Sequence, residues 1–92
     1  MKTHDLKCWS DHFDAILRHE KRFELRKDDR GFRAGDLLAL RSYDPHKKCY
    51  TGNELLASVD YVLSGFPGLE DNYVIMSITV KTVSGAYQED PK

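Results

Sequence analysis

Residues 19–36 read HEKRFELRKDDRGFRAGD, and a change of period inside this stretch decides the fold. Just before it, Phe13, Ile16 and Leu17 recur at helical spacing. From Arg22 the period drops to two. Phe23 and Leu25 alternate with Arg22, Glu24 and Arg26, as in a strand with one buried face. This reading sets Phe23 and Leu25 against the core and the three charged residues on the opposite face. Asp28-Asp29-Arg30-Gly31 and Ala34-Gly35-Asp36 then read as turns.

Upstream, His4, Leu6 and Cys8 alternate with Asp5 and Lys7 as a short first strand. Ser10 is placed to cap a helix over residues 11–19, with Asp11 complementing its positive end. No glycine stops that helix, which leaves His19 or Glu20 to make the turn. Downstream, residues 37–43 read as a strand that is apolar on both faces at its start. A polar loop at residues 44–48 follows, then a strand over residues 55–63. Gly65, Pro67 and Gly68 break the chain before a Val-, Ile- and Thr-rich strand over residues 73–83. Residues 84–92 read as a polar, frayed tail. One helix set among short strands suggests a small mixed barrel, whose closure would hide strand edges.

With 92 residues, of which 40% are hydrophobic, the chain has material for one domain, read as residues 1–83, with a thin core. No apolar run approaches the length of a bilayer span. The N-terminal MKTHD lacks the apolar segment of a signal peptide, which predicts a cytoplasmic protein with no membrane partner. The net charge of −1 hides an asymmetry: residues 1–50 carry +3 and residues 51–92 carry −4. Lys21, Arg22, Arg26, Lys27, Arg30 and Arg33 crowd into thirteen positions. Such a patch can draw a polyanion to one face. The interspersed Glu20, Glu24, Asp28 and Asp29 fit a solvated, charge-laced edge equally well.

Most enzyme motifs are absent: no GxGxxG, P-loop, HExxH or nucleophile elbow. Cys8 and Cys49 lack CxxC spacing and read as reduced, small hydrophobes. A zinc site from these two with His12 and His46 is chemically conceivable but poorly supported by spacing, so no metal and no cofactor is expected. What remains is the junction of helix and second strand. Lys21 follows the helix, while Glu24 and Arg26, two apart on a strand, share a face. The trio is either a structural ion-pair cluster or a polar ligand clamp.

The run His19-Glu20-Lys21-Arg22-Phe23-Glu24-Leu25-Arg26 resembles the G-x-K-x-x-E-x-R signature of ASCH domains, which belong to the PUA-like superfamily. The flanking words match an uncharacterised bacterial or phage subfamily more closely. They are HDLK at 4–7, FDAI at 13–16, FELRK at 23–27 with Asp29-Arg30, Gly35-Asp36, YTG at 50–52 and YVIMSI at 73–78. The resemblance implies an α+β fold: a small PUA-like mixed β-barrel of about five strands with one main helix between the first two. It also implies a cleft beside that helix, floored by Lys21, Glu24 and Arg26, where relatives bind RNA or nucleotides and a few hydrolyse RNA or modified nucleosides.

Two positions depart from the pattern. The signature glycine is His19 here, which tolerates a left-handed turn less well. Glu24 stands where cytidine-deacetylating relatives carry threonine, their presumed nucleophile, so that chemistry is disfavoured.

The function expected is therefore binding of RNA, a nucleotide or a nucleoside. Lys21, Glu24 and Arg26 would contact the ligand, Lys7, Lys27, Arg30 and Arg33 would extend the positive surface, and Trp9, Tyr43 and Tyr50 are candidate stacking groups. The first alternative is a small hydrolase with Glu24 as base and Lys21 stabilising developing charge, Glu70 and Asp71 being the nearest downstream acids. The second is a protein-interaction domain without a nucleic-acid ligand. A monomer or a weak dimer is compatible with each reading.

Overall fold

The alternations resolve into β1 (Thr3–Trp9), α1 (Ser10–Leu17), β2 (Phe23–Lys27), β3 (Leu37–Asp44), β4 (Cys49–Leu63) and β5 (Tyr73–Gly85). The computed structural model describes residues 1–85. The strands form one mixed sheet in the order β1-β3-β4-β5-β2. β1 runs parallel to β3, from Thr3↔Leu37 to Trp9↔Tyr43, and every other pair is antiparallel.

The sheet curls into a half-barrel, so the expected small α+β barrel-like fold is present without full closure by backbone pairing. Its edge strands, β1 and β2, meet across an open seam. Two arginines bridge that seam: Arg26 Nη2 donates to the Lys7 carbonyl at 2.7 Å and Arg30 Nη1 to the Asp5 carbonyl at 3.1 Å. Their guanidinium donors satisfy edge carbonyls that a ladder would otherwise use, and they blunt an edge open to pairing with another chain.

The concave face holds the core. Leu6 and Cys8 of β1, Leu38 and Leu40 of β3, Leu55, Ala57 and Val59 of β4, and Val74, Met76 and Ile78 of β5 are buried there. α1 lays Phe13 and Ile16 over them, both nearly inaccessible, with Leu17 packed at the margin. The helical stripe read from the sequence is therefore the face that covers the sheet.

The helix ends differ from expectation at both termini. α1 begins at Ser10, with Trp9 at the N-cap in an extended conformation and no side-chain cap bond. The chain passes from β1 straight into the helix, which makes Ser10 a helical residue rather than the cap. The helix stops at Leu17, and His19 adopts a φ of 63°. The His19 amide donates to Ile16 O and the Glu20 amide to Ala15 O, the paired bonds of a Schellman motif with the left-handed residue at His19. A side chain at such a φ costs stability that glycine avoids. His19→Gly is thus expected to raise the unfolding free energy by about 0.5–1 kcal/mol, read from urea denaturation; a lower stability would contradict the strain assigned to this turn.

In β2 the period-two pattern holds but its phase is reversed. Glu24 is 3% exposed, whereas Phe23 and Leu25 are 46% and 52% exposed. Alternation tells which residues share a face, not which face turns inward. β2 lies at the seam, where the inward neighbours are cationic rather than apolar, and there a carboxylate is better satisfied than a phenyl ring.

Residues 44–48 form a tight turn instead of a loose loop. The Lys48 amide donates to Asp44 O, and the His46 and Lys47 amides donate to Asp44 Oδ1, which lowers the Asp44 pKa. This turn lets β4 start at Cys49, ahead of the expected residue 55. β5 continues through Gly85, whose φ of 105° brings it against the Gly52 carbonyl so closely that no side chain fits. The expected tail is thus strand at Ser84 and Gly85, and its remainder lies outside the described residues.

Candidate functional site

The Schellman turn delivers the chain from α1 into β2 and sets Lys21 beside the first residues of that strand. Its amide is held by Ala15 O. Lys21 Nζ donates to Glu24 Oε1 at 2.6 Å and to the Phe23 carbonyl at 2.8 Å, and also lies 4.9 Å from the Phe23 ring centroid. Arg26, two residues beyond Glu24 on the same face, donates through Nε to Glu24 Oε2 at 3.0 Å. Glu24 is thus held by a cation at each carboxylate oxygen. Its side chain is 4% exposed, against 16% for Lys21 and 25% for Arg26.

These three residues face a cavity of about 620 Å³ at the seam. Lys7, Cys8 and Trp9 of β1, His12 of α1, Phe23, Leu25 and Lys27 of β2, and Tyr73 of β5 complete its lining. Neither end of the acid–base trio is saturated. Lys21 has three N–H donors and two named acceptors, and Arg26 Nη1 has no protein acceptor among the described residues. Glu24 is differently placed: with both oxygens engaged by cations, it serves to orient Lys21 and Arg26 toward the cavity. The arrangement suits anion recognition better than proton abstraction.

Cys8 lines the same cavity, but burial, followed by the nearby Glu24 charge, pushes its thiol up from 9.0 to about 12. It remains a protonated thiol at neutral pH and is a poor nucleophile there.

The other expected site residues divide. Lys7, Trp9 and Lys27 join the trio around the cavity. Arg30 and Arg33 do not line it: Arg30 is spent on the β1 edge, and the Arg33 amide donates to Asp36 Oδ2. Arg30 thus stays at the seam but farther along the β1 edge than the cavity, which Lys7, Cys8 and Trp9 line. Tyr43 and Tyr50 also lie outside it, in edge-to-face contact at 5.1 Å. Glu70 and Asp71 line a separate cavity of about 240 Å³, which gives them no place opposite Lys21.

The conceived zinc quartet does not assemble. Cys8 is buried and Cys49 exposed, and no group of three or more His, Cys, Asp or Glu among the described residues is placed to hold a metal. His12 instead lies nearly parallel to the Trp9 indole, with centroids 6.4 Å apart. That indole is 54% exposed, so Trp9 is a rim residue and not part of the core.

Sequence reasoning missed Cys8, His12, Phe23, Leu25 and Tyr73 as lining groups. Tyr73 is Cα partner to Lys27 through the β2–β5 register. That pairing spans 46 residues and leaves no local signal. His12 did carry one, since it lies three residues beyond Trp9 on the first turn of α1.

Among the described residues no helix is long and apolar enough to cross a membrane. Residues 3–78 match the family described as "Domain of unknown function (DUF3850)". A curated relative, the "Uncharacterized 12.9 kDa protein in GpA 3'region" of Escherichia phage P2, is 35% identical over 75 residues, covering 82% of this chain and 66% of the relative. The matched span contains every strand of the seam and the whole charged trio, and on that match the chain belongs to the DUF3850 family.

Proposed function

We propose that this protein is an RNA- or nucleotide-binding module whose ligand enters the cavity at the β1–β2 seam. The observation that carries this reading is that Lys21, Glu24 and Arg26 line a concave cavity rather than a flat exposed face. Two oriented cations at its floor suit a phosphate. The exposed Trp9 at its rim suits a base, and Lys7 and Lys27 add positive charge beside it. The likeness of residues 19–26 to the ASCH signature of PUA-like domains points the same way, and a cytoplasmic setting belongs to the same proposal. Hydrolysis is the weaker reading because Glu24 offers no oxygen without a cation partner.

Fluorescence anisotropy with a short labelled single-stranded RNA at low salt tests this. Wild type is expected to bind in a salt-sensitive manner, and Lys21→Ala with Arg26→Ala to lose about tenfold or more in affinity, its fold being checked by circular dichroism. Lys27→Ala, exposed and outside the trio, should shift the slope of log affinity against log salt by about 0.7. Absence of wild-type binding, or equal binding by the double variant, would overturn the proposal.

A further inference from the structure

The candidate stacking residues that the cavity leaves unexplained lie on the convex face of the sheet, in register. Trp9 pairs with Tyr43, and Tyr43 pairs with Tyr50. The three residues therefore share one register row across β1, β3 and β4, on strands spaced about 4.8 Å apart, with the Tyr43 and Tyr50 rings edge to face and the Trp9 indole against His12 at the seam end. A second row lies beside it, across a β3–β4 register shift between Arg41 and Tyr43: Lys7 pairs with Arg41, and Arg41 with Glu54. The rows are cross-linked by cation–π contacts, with Lys7 Nζ 4.2 Å from the Tyr43 centroid and the Arg41 guanidinium 4.4 Å from that of Tyr50. Tyr50 keeps 43% of its surface exposed and Trp9 keeps 54%.

Two of these residues, Lys7 and Trp9, also line the seam cavity. Cavity and convex rows are thus continuous at β1, which presents the same side chains to both. Two exposed rings, Trp9 and Tyr50, on either side of a half-buried Tyr43 and flanked by cations give a sheet surface on which bases can stack while their phosphates are held.

Resting on the proposed function, we infer that the ligand is a single-stranded polynucleotide: one nucleotide occupies the seam cavity, and its neighbours cross the convex face over Trp9, Tyr43 and Tyr50, with Lys7 and Arg41 meeting their phosphates. The charge of the surface selects this occupant. Lys7 has no carboxylate partner among the described residues, and Arg41 reaches Glu54 only at 3.9 Å, with both of those side chains about half exposed. Both cations can thus turn to a phosphate without uncovering a buried charge.

The 92 residues contain one tryptophan, so quenching of Trp9 emission reports stacking directly. Titration at low salt with a mononucleotide and with uridine and thymidine oligomers of increasing length is the test. Affinity is expected to rise about tenfold or more from one nucleotide to about four, and then level off. Tyr50→Ala and Arg41→Ala should each weaken the oligomer several-fold to about tenfold while leaving the mononucleotide unaffected. Arg41 is exposed, so its variant folds even if the Tyr50 variant does not. Comparison of the uridine and thymidine series tells RNA from DNA.

Mononucleotide binding that depends on Lys21 but does not strengthen with length would overturn the extended path and leave the cavity reading standing. So would oligomer binding that is insensitive to Arg41→Ala and Tyr50→Ala. If no nucleotide of any length binds, both readings fall, and the convex rows are a surface for a different class of partner.

Discussion

Replacing Glu24 by alanine is expected to cost about 3 kcal/mol of folding stability, on the order of 15 °C in Tm for a chain of this size. The carboxylate is 4% exposed and meets Lys21 on one oxygen and Arg26 on the other. Its removal leaves two partly desolvated cations facing one another across the gap. Because Lys21 and Arg26 keep some contact with water, the loss belongs at the lower end of the range for broken buried pairs. Glu24→Gln keeps the shape and an acceptor, and should cost less, about 1–2 kcal/mol. Urea unfolding monitored by circular dichroism measures both; an alanine variant within 0.5 kcal/mol of wild type, about the scatter of a neutral surface change, would mean the cluster adds no stability. The triple change Lys21→Met, Glu24→Leu, Arg26→Met supplies the complementary result. An apolar trio should recover most of the stability lost by Glu24→Ala while abolishing the proposed nucleotide binding, which separates what the cluster does for the fold from what it would do for a ligand.

The second large effect lies at Asp36, on the opposite flank of β1. Its carboxylate is buried and accepts from His4 Nε2 at 2.9 Å, from the Lys2 amide at 3.1 Å and from the Arg33 amide at 3.0 Å. The His4 bond is the main cause that lowers its pKa from 3.8 to about 2; the two amides add to it against the cost of burial. A carboxyl whose folded-state pKa is depressed stabilises the fold above its unfolded value and loses that contribution as protons bind. The stabilisation from Asp36 is therefore complete above about pH 4 and is lost as pH falls toward 2. Asp36→Ala strips the acceptor from three donors and should cost about 3 kcal/mol at neutral pH. The cost should shrink between pH 4 and pH 2, because the wild type weakens there while the variant has no such group to titrate. Equilibrium unfolding of both proteins at several pH values decides it; a constant difference across that window would exclude Asp36 as the source of acid sensitivity.

Asp36 also marks a limit on what was legible beforehand. Its position after Gly35 announced a turn, and Gly35 does take a φ of 94°. Nothing local announced that its side chain would tie the N-terminal strand to that turn, since the His4 partner is 32 residues away. His19 is the contrary case. The absence of glycine after a helical stripe pointed to His19 or Glu20 as the turn residue, and the left-handed φ at His19 supplies it. The charged trio was legible too, because Lys21, Glu24 and Arg26 sit within six residues and a strand places the last two on one face. That the trio faces a cavity was not, because the cavity needs β1 as its second wall.

Spacing along the chain was enough for one group of features. These are the stripe of Phe13, Ile16 and Leu17, the alternation of β1 and β2, most turns, and the grouping of Lys21 with Glu24 and Arg26. Which way those patterns point came from contacts between elements distant in the chain. β2 turns Glu24 inward and Phe23 and Leu25 outward because β1 lies across the seam, where Arg26 is held on the Lys7 carbonyl while it pairs with the carboxylate. The half-barrel stays open along β1 and β2, and arginine side chains bridge it in place of a ladder. Trp9, Tyr43 and Tyr50, scattered over 42 positions of sequence, fall into one row through strand register alone. The reason is common to all three: periodicity assigns residues to a shared face from local geometry, whereas burial, closure and register are set by non-local partners.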